Sequence, residues 1–79
     1  MPKKIPEQQE ISDLLKKFGD KVRIERLKKR WSQEDLAHKC GLHRTYIGII
    51  ERAEKSVTLS TVEKIAKALD TTILELLTF

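Results

Sequence analysis

The stretch Trp31–Arg52, WSQEDLAHKCGLHRTYIGIIER, decides how this chain folds. Its opening, Trp31-Ser32-Gln33-Glu34-Asp35-Leu36, carries a helix start, because the Ser32 side chain can accept from the backbone N–H of Asp35 while the Asp35 carboxylate reaches back. Trp31 and Leu36 take the two apolar positions flanking that cap. Gly41 stops the helix, since a residue without Cβ enters the left-handed conformation at no steric cost. The spacing predicts one helix over about Gln33–Cys40 and, after a Leu42-His43 turn, a second over about Arg44–Arg52.

Two short helices joined in this way make a helix-turn-helix when a small residue sits at their crossing, a glycine makes the turn, and apolar residues of the second helix lock it onto the first. Ala37 is the small residue and Gly41 the turn. Leu36 and Cys40 face inward from one helix, Ile47 and Ile50 from the other. Each residue type is common, so the specificity lies in their joint spacing. The bland alternative is a helical hairpin with no role toward DNA.

Working outward, residues 1–10 hold two prolines and no periodicity and read as a flexible arm, leaving 11–79 as a single domain. Ile11, Leu14, Leu15, Phe18 and Val22 recur at three- and four-residue steps and predict a helix to about Arg30. Gly19 is a weak point within it, where an arm helix could part from the domain's own first helix. On the other side, Thr58 caps a helix with a core face of Leu59, Val62, Ile65, Ala66 and Leu69. Thr72-x-x-Glu75 is a further capping box opening a last short helix. No segment reads as a strand, so the expected fold class is all-α.

A chain of 79 residues is enough for one small domain, which buries only about 60% of its unfolded surface. It has one cysteine and two histidines, Cys40 with His38 and His43, so neither an internal disulfide nor a set of zinc ligands can be assembled. No metal or cofactor is expected, and stability must come from helix packing or a partner subunit. The net charge is +4, but residues 1–55 carry 14 basic and 9 acidic side chains and residues 56–79 carry 2 and 3. This asymmetry suits a nucleic-acid binder, although a plain solvated surface would also produce it. There is no apolar run long enough for a membrane span and no signal-peptide h-region, so a cytoplasmic location is expected. Enzyme chemistry is not expected, because nothing supplies a convergent nucleophile, base and orienting group. No small-molecule ligand is evident. Ile73, Leu74, Leu76, Leu77 and Phe79 put five apolar residues into the last seven, more than one short helix can turn onto its own core. A homodimer with Leu74, Leu77 and Phe79 at its interface is the expectation.

With these landmarks in place, residues 18–77 resemble the Cro/C1-type (XRE) helix-turn-helix family, a five-helix DNA-binding domain. The likeness rests on Trp31–Ala37, Gly41–Ile47, Ile50-Glu51-Arg52 and Glu63–Leu69. Within the family, Arg44-Thr45-Tyr46-Ile47 followed by Ile50-Glu51-Arg52 resembles controller proteins of restriction-modification systems. The resemblance implies a transcriptional regulator, repressor or activator, that binds double-stranded DNA as a dimer on a palindromic operator. It implies base reading by Arg44, Thr45 and Ile49, with a phosphate contact as the alternative for Arg44 and packing against a neighbour as the alternative for Ile49. Ser32, Gln33, Tyr46 and Lys55 become phosphate candidates. Arg26 and Glu51 match a partly buried ion pair of the family, the alternative being two solvated charges. Three residues depart from the pattern: His43 at a helix cap, Gly48 inside a helix, and Glu25 at a usually apolar position. Gly48 suits either a close approach to the DNA backbone or simple tolerance. The rival functional class is an antitoxin or protein-interaction adaptor on the same fold.

Overall fold

The computed structural model describes residues 8–79, which form α1 (Gln8–Lys28), α2 (Gln33–Cys40), α3 (Arg44–Glu51), α4 (Leu59–Ala68) and α5 (Ile73–Leu76), with no strand among the described residues. Of the arm expected over 1–10, Gln8–Glu10 are instead helical. Its first seven residues lie outside the described residues.

The core is assembled from Phe18 and Val22 of α1, Leu36 and Ala37 of α2, Ile47 and Ile50 of α3, Val62, Ile65 and Ala66 of α4, then Leu69 and Leu76. On α1 the inward residues fall at four-residue steps, Phe18, Val22 and Arg26, so one stripe faces the body. Glu25 therefore sits at the margin, paired with Lys21 at 3.6 Å and Lys28 at 3.2 Å, and Ile24 and Leu27 turn to solvent. At the upper end of the α1 stripe Ile11 and Leu14 are exposed, and the molecule measures 46 Å along its longest axis against 22 and 20 Å across.

Gly19 is no break in α1, which runs straight through it. A Cβ built on it would lie 2.6 Å from the Ile50 carbonyl oxygen and 2.8 Å from that of Glu51. The glycine lets α1 close onto the end of α3, and both clashing atoms are backbone, which cannot step aside. Helix propensity alone would make Gly19→Ala stabilising by about 1 kcal/mol, whereas overpacking a closed contact costs about 1–3 kcal/mol. A net loss of about 1 kcal/mol is expected in urea denaturation. A gain would show that α1 can slide without penalty.

Each of the later helices starts on a side-chain cap. Thr58 accepts from the Thr61 N–H and Thr72 from the Glu75 N–H. In α5 only the threonine half of the expected box forms; Glu75 contributes its backbone N–H. Leu59, expected on the core face of α4, is instead 73% exposed. It is the first residue of the helix, where the periodicity still points it sideways but no facing element remains to cover it. At the C-terminus Ile73 and Leu76 turn inward, while Leu74 is 77% exposed and Leu77 and Phe79 are exposed beside it.

Candidate nucleic-acid interface

The two helices of the motif are fixed from three sides. Ser32 caps α2 through a complete box: its hydroxyl accepts from the Asp35 N–H at 2.9 Å, and its own N–H donates to the Asp35 carboxylate at 2.8 Å. The Ser32 backbone N–H, with its side-chain hydroxyl next, holds the Asp35 carboxyl below its ordinary range. Gly41 ends α2 at φ 70° with Leu42 N–H donating to the Ala37 carbonyl, a left-handed stop that turns the chain into α3. His43 does cap α3, with an imidazole as acceptor: its Nδ1 accepts from the Thr45 N–H at 3.0 Å.

Of the six motif residues, Leu36, Ala37, Ile47 and Ile50 are buried, Cys40 packs half-buried against the same core, and Gly41 lies at the exposed turn. Burial pushes the Cys40 thiol up, as expected of a packed side chain rather than a nucleophile.

Behind the motif, Arg26 and Glu51 form a buried, bidentate pair. Nε donates to Oε2 at 2.7 Å and Nη2 to Oε1 at 2.9 Å, with Arg26 8% and Glu51 9% exposed. Nη1 of Arg26 donates to the Trp31 carbonyl at 2.6 Å, so the guanidinium ties α1 to the entry of α2 as well as to the end of α3. The hydrogen bonds with Glu51 raise the arginine further above its ordinary value. The Gln33 side-chain amide also donates to Glu51, at 3.2 Å. Gln33 is thereby turned inward, and what it presents outward at the start of α2 is its backbone.

The opposite face of α3 is open. Arg44 and Thr45 are exposed at its first turn, and the Arg44 guanidinium meets the Glu34 carboxylate at 3.3 Å on the surface. Tyr46 is half-buried and packs against the core; Ile49 is half-buried; Lys55 is exposed in the loop that follows. Ser32, Gln33, Glu34, Arg44, Thr45, Gly48 and Arg52 border one concavity of about 490 Å³ between the start of α2 and the outer side of α3, with the Glu34 carboxylate paired to Arg44. Sequence reasoning did not select Arg52. It is exposed and clamped by Glu54 through bonds of 3.0 and 3.3 Å, which hold the Glu54 carboxyl below its ordinary range.

A second helix locked on one face by its neighbour and bare on the other, with basic and hydroxyl side chains at its first turn, places the molecule among helix-turn-helix DNA-binding domains. The helix-turn-helix family model matches residues 22–76. The chain belongs to the Cro/C1-type helix-turn-helix family. It is 54% identical over 63 residues to the control protein C.BamHI of Bacillus amyloliquefaciens, covering 78% of each chain. Among solved structures, the restriction-modification controller protein C.AhdI from Aeromonas hydrophila superposes with a TM-score of 0.77 at 45% identity, covering 78% of this chain and 94% of the other. The hypothetical transcription factor NHTF from Neisseria superposes with a TM-score of 0.80 at 40% identity, covering 99% of this chain and 86% of that one. The relative from Neisseria thus also spans the upper part of α1, which the family model leaves out.

Proposed function

We propose that this protein is a sequence-specific transcriptional regulator of the restriction-modification controller type, acting as a homodimer on an approximately palindromic operator. The observation that carries the reading is the bare first turn of α3, Arg44 and Thr45, on a helix whose other face is locked to α2 through Ile47 and Ile50. Its relatives are named as control proteins of restriction-modification systems. In this reading α3 enters the major groove with Arg44, Thr45 and Ile49 toward base edges. The start of α2 at Ser32 and Gln33, with Tyr46 and Lys55, meets phosphates on either side. The exposed Leu74, Leu77 and Phe79 form the two-fold contact, which repeats α3 about one DNA turn away.

The test is affinity for a duplex selected from a random pool, measured across salt concentrations, with sedimentation of the same samples. Binding is expected to weaken steeply with salt. Lys55→Ala should weaken every sequence by a similar factor and lower the salt slope by up to about one unit. A species that sediments as a monomer at tens of micromolar, both free and on DNA, would refute the dimer. A protein-interaction adaptor would show no binding even to random duplex at low salt.

A further inference from the structure

Helical spacing places Thr45, Ile49 and Arg52 at positions i, i+4 and i+7, one outward face of α3 and the residue that caps it. Arg52 reaches back along that face. A Cβ on Gly48 would lie 2.8 Å from Nη1 of Arg52 and 3.4 Å from both Cζ and Nη2, so the guanidinium rests over the glycine, where any larger side chain would displace it. It thus borders the same concavity as Ser32 and Gln33 at the start of α2. There the capping box satisfies the N–H groups of Ser32 and Asp35 and leaves the first-turn N–H groups of Gln33 and Glu34 for an outside acceptor. A cation and a helix start facing one hollow is an arrangement suited to a phosphate. The cation is occupied in the free protein: Glu54 holds it through two bonds, both on the surface.

Resting on the DNA-binding reading above, we propose that Arg52 is a backbone-phosphate contact seated by Gly48, and that Glu54 is its resident competitor, exchanged for a phosphate oxygen when DNA arrives. The exchange is one of charge-assisted hydrogen bonds, with no covalent change. It gives Gly48 a purpose in a helix interior where alanine would otherwise be favoured. It also makes Glu54 a brake on binding to any duplex, because a phosphate that enters the hollow must first displace it from Arg52.

The experiment compares wild type, Arg52→Ala, Gly48→Ala, Glu54→Gln and the double variant Arg52→Ala/Glu54→Gln on a selected duplex and on random duplex, over a range of salt, with urea denaturation of each. Arg52→Ala is expected to weaken both duplexes alike and to lower the salt slope by about one unit. Gly48→Ala should reproduce that loss while folding stability holds or rises. Glu54→Gln should tighten random-duplex binding by about two- to five-fold, the scale of one exposed ion pair, and most of that gain should vanish in the double variant. An unchanged slope in Arg52→Ala would overturn the proposal while leaving the DNA-binding reading intact. So would a loss confined to particular base pairs, or a Glu54→Gln gain that persists without Arg52. Failure of wild type to bind any duplex at low salt would remove that reading, and this proposal with it.

Discussion

Glu51→Ala is expected to lower folding stability by about 3–5 kcal/mol, because it strands the Arg26 guanidinium in a buried position with only the Trp31 carbonyl as partner. That is a large share of the roughly 5–15 kcal/mol a domain of this kind possesses. Gln33 loses an acceptor in the same step, so the damage reaches the start of α2. The informative comparison is the double variant Arg26→Met/Glu51→Leu, which removes both charges and fills a similar volume. Burying an ion pair costs desolvation that its attraction only roughly offsets, so the double variant should recover most of the lost stability. Urea denaturation followed by Trp31 fluorescence measures all three proteins. A loss below about 1 kcal/mol in Glu51→Ala would mean that the pair behaves as two solvated surface charges. If the double variant is stable yet binds DNA poorly, the pair serves to set the angle of α3 rather than to hold the fold.

Arg44→Ala is expected to cost about 1–3 kcal/mol of binding on a preferred duplex and much less on a random one. At the first turn of α3 an outward guanidinium can pair with both acceptors of guanine, and that fork is what alanine removes. Its present partner is no obstacle: the Glu34 contact lies on the surface at 3.3 Å, and such pairs are worth about 0–1 kcal/mol. Arg44→Lys keeps the charge and loses the fork, so it should bind random duplex nearly as wild type does and still lose discrimination. Affinities for every single-base variant of one half-site decide the matter. Discrimination surviving at every position in both variants would make Arg44 a phosphate clamp and leave readout to Thr45 and Ile49.

The parts of this molecule that were legible in its sequence are those governed by neighbours along the chain. The Ser32–Asp35 box, the Gly41 stop and the inward positions of Leu36, Ala37, Ile47 and Ile50 depend on spacings of a few residues, and each stands as read. Periodicity names the apolar side of a helix but not whether anything lies opposite. That is why Leu59 was assigned to a core it does not reach, and why the stripe from Ile11 to Val22 joins the core only from Phe18 onward. Gly19 was misread for a related reason: its meaning lies in two carbonyls more than thirty residues away, at the end of α3. Arg52 shares a helical face with Thr45 and Ile49, a signal present in the spacing. Its path over Gly48 depends on a side-chain conformation that spacing does not specify.

The upper turns of α1 change how stability must be measured. Residues 9–17 are helical, yet Ile11 and Leu14 are exposed and Leu15 is only half-buried, so this segment leans mainly on its own hydrogen bonds and on continuity with the turn below. Helical segments that short are marginal in water on their own. The segment is therefore expected to fray at a local free energy well below that of the body. Far-ultraviolet circular dichroism counts its peptide groups along with the rest, so an unfolding curve recorded that way mixes two transitions. Trp31 packs on the body at the entry of α2, and its fluorescence is expected to report the transition of the body.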